Sequence, residues 1–287
     1  MKPFDIIVGN PPYQGTGRKK LYIDFIDKAI NNVLCKDGQL CFITPKFAMH
    51  FLLGHKTSQK KLNYLYVVNN IITGVDKYFN VGSDFCIFNL VNRIKTTETS
   101  NIDSIEIELE YMMVLPYNIN KNAISIYKKC LNCKNELGRK TARISENLSP
   151  IENEEYKNKI LYKIRTASLD FLYSNQMHKD TFKPKVLFPT IGQNAIIDYN
   201  HNLFPGTSFV VYCLTNSNEE SENLVSFVNS KLYKYLCAGI KSMRSPSDWL
   251  LKNIKKPDLS IKLTNEDLYK YFNLSQEQID LIETTIK

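Results

Sequence analysis

"FDIIVGNPPYQ", residues 4–14, is the stretch on which the reading of this chain turns. Ile6, Ile7 and Val8 form an unbroken β-branched run closed by Gly9, the pattern of a strand buried on both faces of a parallel sheet. Two prolines follow. Each fixes its own φ and pushes the residue before it into an extended conformation, so the loop after the strand is rigid. Asn10 falls at the carboxyl end of the strand, where open α/β sheets bind their ligands.

Working outward, "LYIDFIDKAINNVL" (21–34) sets Leu21, Phe25, Ile26, Ala29, Ile30 and Val33 on one face at helical spacing. "DGQLCFITP" (37–45) is a turn and a second buried strand stopped by Pro45. "YLYVVNNIITGV" and "SDFCIFNLVNR" are two more strand candidates. Strand, helix and strand at this spacing predict a parallel α/β sheet. A polar stretch, "NRIKTTETSNIDS", suggests a domain boundary near residue 98. The expected organisation is therefore 1–98 followed by an α+β domain over 99–287. In that second part "KVLFPTIG" and "GTSFVVYCL" are expected strands. "EESENLVSFVNSKLYKYL" is an expected helix, with Leu224, Phe227, Val228 and Leu232 facing a core. The last residues predict two short helices opening at capping boxes, Thr264 with Asp267 and Ser275 with Gln278.

Composition narrows the class. At 287 residues, 43% hydrophobic and 23% charged, the chain can bury a core and is not of disordered type. No apolar run approaches the ~20 residues that span a bilayer, and the N-terminus lacks the pattern of a secretory signal. Seven scattered cysteines suit reduced thiols in a cytoplasm. A net charge of +8 favours a polyanionic partner.

The loop has a definite chemistry. Pro11 and Pro12 carry no N–H, so the Asn10 side-chain oxygen and the Pro11 carbonyl form an acceptor cradle, and Tyr13 adds a flat face for a planar ring. Two acceptors suit an exocyclic –NH2. Holding both N–H bonds pulls the nitrogen toward tetrahedral geometry and localises its lone pair. The same acceptors stabilise the positive charge that grows as a methyl group arrives.

These residues, with "LYIDFIDKAINNVLCKDGQLCFITPKFAMH" behind them, resemble the catalytic half of the N6-adenine DNA methyltransferases of bacterial restriction–modification systems, the Eco57I-like family. "FNVGSDFCIFNLVN" resembles that family's last hairpin strand. "NLVSFVNSKLYKYL" and "YKYFNLSQEQIDLIE" are similar to its target-recognition region. The resemblance implies the C-terminal half of a Rossmann-like methyltransferase sheet and then a target-recognition domain. It implies S-adenosylmethionine as donor and a flipped adenine in double-stranded DNA as acceptor. Asn10, Pro11, Pro12 and Tyr13 take the catalytic roles above, and Phe85 or Phe88 the other side of the base pocket. Similar loops also occur in protein-glutamine and RNA methyltransferases, because a glutamine amide presents the same amine geometry.

One departure stands out. The family places its donor site on strands before this loop, and only nine residues precede Asn10 here. Three expectations follow: one half of a split enzyme completed by a second polypeptide carrying the donor site, a shortened reading frame, or a DNA-binding subunit that does not methylate. In each case a strand that is normally central becomes an exposed apolar edge.

Basic residues are candidate phosphate contacts: Arg18, Lys19 and Lys20 after the loop, and Lys241, Arg244, Lys252, Lys255 and Lys256 in "GIKSMRSPSDWLLKNIKK". A solvated charged face is the competing reading of both runs. Cys130 and Cys133 in "CLNCK" have metal-ligand spacing but no second pair, so they are read as plain thiols. The four histidines form no ligand pattern, and Trp249 is read as core rather than as a wedge.

Overall fold

The N-terminal apolar run is strand β1, Phe4–Gly9, and it lies at the edge of a sheet rather than in its middle. The structure, a computed structural model, describes residues 3–15, 20–46, 48, 66–72, 75–78, 85–94, 100–107, 116, 120–132, 134–141, 160–165, 168–173, 179–189, 194–205, 210–240 and 246–287. The chain divides into two compact units, Met1–Ile124 and Ser125–Lys287.

In the first unit β1 is joined by β2 (Leu34–Pro45), β3 (Tyr66–Ile72), β4 (Phe85–Ile94), β5 (Ser100–Ile102) and β6 (Ile105–Ile107). Their spatial order is β1-β2-β4-β3-β5-β6. The polar stretch around residue 98 therefore lies within this sheet's sequence span. β1 and β2 are parallel, and so are β3 and β5. β4 is slotted antiparallel between β2 and β3, so the sheet is mixed, a correction to the parallel sheet expected. Strand–helix–strand spacing is seen only up to β2. The β3–β4 hairpin that follows returns its second strand into the middle.

Helix α1 (Leu21–Lys28) continues into a π-type turn, Ala29–Val33, before β2. Its buried stripe is Tyr22, Ile26, Ala29 and Ile30; Phe25, expected inside, is on the flank and 46% exposed. The sheet face under this stripe carries Leu40, Phe42, Cys86, Phe88 and Leu90, with Ile71 and Ile102 completing the core. Each such side chain contributes about 1.5–3 kcal/mol when fully buried. The "DG" turn is a bulge inside β2: two steps along β1, Phe4 to Ile6, match five along β2, Leu34 to Gln39, with Asp37 at φ 63°. Gly38 sits where an added Cβ would lie 3.0 Å from the Asp5 carbonyl oxygen.

β1 corrects the expectation of a strand buried on both faces. No described strand pairs with its outer edge, and Phe4, Ile6 and Val8 are 51%, 63% and 74% exposed. Among the described residues the outer edge of β1 is open and apolar, as expected of it.

Among the described residues the second unit has two sheets. β7 (Lys140–Thr141), β10 (Lys185–Pro189), β11 (Ile196–Ile197) and β13 (Val210–Leu214) form the antiparallel order β11-β10-β13-β7. β8 (Ile160–Arg165), β9 (Ser168–Tyr173) and β12 (Leu203–Pro205) form the other. Helix α2 (Lys121–Cys130) begins in the first unit's residues and ends in the second's. The single helix expected over 219–236 is two, α3 (Asn218–Asn229) and α4 (Lys231–Gly239). Ser230 breaks it with ψ 156° and caps α4, its hydroxyl accepting from the Tyr233 N–H at 3.2 Å. Leu224, Phe227 and Leu232 are buried as predicted. Helix α5 (Pro246–Asn253) follows, and then α6 (Asn265–Tyr271) and α7 (Gln276–Thr285). Asp267 accepts from the Thr264 N–H and Gln278 from the Ser275 N–H, the side-chain half of each predicted capping box.

Candidate functional site

The direction of three strands assembles the site. β1 and β2 run parallel, with Gly9 beside Phe42 and β2 continuing three residues further to Pro45. β4 runs the other way, so it starts there, with Phe85 opposite Pro45. The loop leaving β1 therefore meets the first residue of β4. Phe85 packs on Tyr13, with ring centroids 5.0 Å apart and planes tilted 45°. Phe88, three residues further in, has no exposed surface and packs edge-on against Phe42 at 6.2 Å in the core. Alternation along β4 left the two candidates open; of the two, Phe85 lies against the loop and Phe88 in the core.

Within the loop, Pro11 is buried, Asn10 and Pro12 are exposed, and Tyr13 is half-buried against the core. The Tyr13 hydroxyl donates a short hydrogen bond to Oδ1 of Asn10, the acceptor that the sequence assigned to an incoming amine. Burial pushes the Tyr13 phenol above its ordinary pKa, with the bond to Asn10 acting against that shift, so it is a donor at neutral pH. A tyrosine hydroxyl at this acceptor was not anticipated; the only signal for it in the sequence is the three-residue spacing.

Below the loop lies a thiol. Cys86 is fully buried, 3.6 Å from the Thr44 hydroxyl, and burial pushes its pKa up to about 11. It is protonated and is no nucleophile. Burial likewise pushes Tyr22, beside the same thiol, up to about 12. The site thus offers an amide oxygen and an aromatic face.

The basic candidates are placed unevenly. Arg18 and Lys19 lie outside the described residues, as do Lys241 and Arg244; Lys20 is exposed just before α1. Lys252 is exposed on α5. Lys255 donates to the Lys129 carbonyl, and Lys256 pairs with Glu220 at 3.0 Å, so both ammonium groups serve contacts within the second unit. Cys130 is fully buried, and Cys133, His50, His55 and His178 lie outside the described residues. His201 is hydrogen-bonded to Asn218 at 2.9 Å, and Trp249 is half-buried. Among the described residues no cluster of His, Cys, Asp and Glu could hold a metal, and no helix is long and apolar enough to cross a membrane.

The loop that carries Asn10 and the two prolines thus ends a parallel strand and is backed by Phe85 on a reversed neighbour. Residues 1–77 match the family model described as Eco57I restriction-modification methylase. No curated protein matches the chain.

Proposed function

We propose that the chain is the catalytic-loop and target-recognition part of a site-specific DNA methyltransferase that moves a methyl group from S-adenosylmethionine to N6 of a flipped adenine. Asn10 Oδ1 and the Pro11 carbonyl accept the two amine hydrogens, Pro12 holds the loop extended, and the base stacks on the outer face of Tyr13. Phe85, rather than Phe88, is the pocket aromatic, bracing the Tyr13 ring from behind. The sheet that begins with β1 carries the chemistry and the second unit the recognition of duplex DNA, in a reduced cytoplasmic setting, the division expected near residue 98 falling after β6 instead. The observation that carries this reading is the loop itself, at the end of a parallel strand inside the segment matched to a methylase family.

No general base is required before transfer. The acceptors localise the amine lone pair, and the proton leaves after the carbon–nitrogen bond has formed. S-adenosylmethionine supplies the electrophilic methyl group. Unstacking the adenine costs a few kcal/mol, offset by stacking on Tyr13 and the two acceptor bonds. The open edge of β1 supports a donor-binding part that lies outside these strands and pairs beside β1, on a second polypeptide or another stretch of the same one.

The test is nucleoside mass spectrometry of DNA from cells that express the chain with its neighbouring genes. N6-methyladenine is expected, and it disappears in Asn10→Ala while duplex affinity stays within about twofold. Equal N6-methyladenine in both, or modification of cytosine instead, overturns the reading. A second reading, a DNA-binding subunit without catalysis, is favoured by the Tyr13 hydroxyl already seated on Asn10. It predicts duplex binding with no methylation from any complemented enzyme. Competition between duplex DNA, RNA and a glutamine-bearing peptide separates both from an RNA or protein-amide methyltransferase.

A further inference from the structure

In the second unit the turn Lys179–Lys183 is held from beneath by two buried charges of opposite sign. The Asp180 side chain, 1% exposed, accepts from Lys183 Nζ at 2.7 Å, Lys140 Nζ at 3.1 Å and the Tyr212 hydroxyl at 3.1 Å. Lys185, fully buried at the start of β10, donates to the carbonyls of Thr181 at 2.6 Å and Lys183 at 2.8 Å, the residues on either side of Phe182. Its charge is matched by Asp198, also fully buried, at 2.6 Å. Asp198 in turn accepts from the N–H groups of Asn202 and Leu203, both at 3.0 Å.

Buried ion pairs are costly, and replacing them with apolar residues is often neutral or stabilising. Here they fix the backbone of one short turn at residues 180, 181 and 183. What the turn shows to solvent is Phe182, 60% exposed, beside Lys183 and Lys140, whose side chains are 54% and 40% exposed, and beside the exposed Lys179. Four lysines (140, 179, 183 and 185) against two aspartates (180 and 198) leave this end of the sheet at net +2. A second exposed aromatic, Tyr199, follows Asp198, but its hydroxyl is held by the carboxylate of Glu222 at 3.1 Å, so that turn faces an acid.

We propose that the Lys179–Lys183 turn is a nucleic-acid contact in which Phe182 stacks on, or wedges between, bases while Lys179, Lys183 and Lys140 pair with phosphates. The proposal rests on the reading of the chain as a duplex-DNA protein, and it assigns the contact to residues outside the two basic runs. Every base offers a π-face, so stacking is tolerant of sequence, and a ring on a pre-fixed turn loses little freedom on binding. An ammonium group has three N–H donors, so Lys183 and Lys140 can hold Asp180 and still reach a phosphate.

The experiment measures binding of the full chain to a fluorescein-labelled mixed-sequence 30-base-pair duplex by anisotropy across a salt series. Phe182→Ala is expected to weaken binding about tenfold with an unchanged salt slope, and Phe182→Trp to restore it. Lys179→Gln is expected to lower the slope by about one. If the wild-type chain binds the duplex and Phe182→Ala binds as tightly, the proposal falls while the DNA reading stands. If the wild-type chain does not bind duplex DNA, both fall. Photo-crosslinking from p-benzoylphenylalanine placed at position 182 to a protein, and not to the duplex, also overturns it.

Discussion

The hydroxyl of Tyr13 donates to Oδ1 of Asn10, so the loop satisfies from within the amide oxygen proposed to accept an incoming amine. Phe85 completes the arrangement by bracing the same ring. On the proposed function, an entering amine has to share or displace that hydroxyl.

Removing the hydroxyl while keeping the ring therefore has a definite sign. An exchanged hydrogen bond is worth about 0.5–1.5 kcal/mol. Tyr13→Phe is expected to hold an extrahelical adenine two- to tenfold more tightly, read from 2-aminopurine fluorescence in a duplex with the analogue opposite an abasic site. Tyr13→Ala loses the stacking face and is expected to quench nothing. Weaker binding by Tyr13→Phe would mean that the hydroxyl orients Asn10 instead of occupying it.

The edge of β1 predicts association behaviour. Ile6 and Val8 are 63% and 74% exposed, so charging them costs the fold within about 0.5 kcal/mol. The double variant Ile6→Lys, Val8→Lys is expected to stay soluble and monodisperse in light scattering where the parent chain self-associates. It is also expected to lose complementation by a donor-binding partner. Unchanged complementation would place the partner elsewhere.

Lys185 and Asp198 are a buried pair with no exposed side-chain surface, so single and double replacements part company. Lys185→Met alone strands a carboxylate and is expected to cost about 3–5 kcal/mol. Lys185→Met with Asp198→Leu is expected to recover most of it in urea unfolding. Additive losses would show that the pair acts through its backbone contacts alone.

Asp180 sets an acid limit. Burial acts to raise its pKa, but hydrogen bonds from Lys183, Lys140 and Tyr212 outweigh this and hold it well below the ordinary value of 3.8. A depressed folded pKa means stability that is complete above the unfolded value and lost as pH falls below it. The thermal midpoint is expected to fall on acidification below about pH 4. In Asp180→Asn it is expected to be lower at neutral pH and to lack this component of the fall. Parallel pH profiles for the two proteins would exclude Asp180 as the source.

Local rules carried much of this protein. The β-branched run, the proline loop after it, the capping residues Thr264 and Ser275 and the apolar positions 224, 227 and 232 were legible because propensity, dihedral restriction and periodicity act over a few neighbouring residues. The proposed chemistry of Asn10 to Tyr13 was likewise read from neighbouring residues alone, since proline and amide functions do not depend on what lies far away. Tertiary structure alone decided the rest. The insertion of β4 between β2 and β3 is a long-range pairing, and only it brings Phe85 to Tyr13 and sends Phe88 to the core. Ser230 divides a continuous helical pattern because its ψ and its cap are set by packing on both sides. Lys185 and Asp198, thirteen positions apart, carry no sequence mark of a pair: burial makes one, and burial is a property of the whole fold.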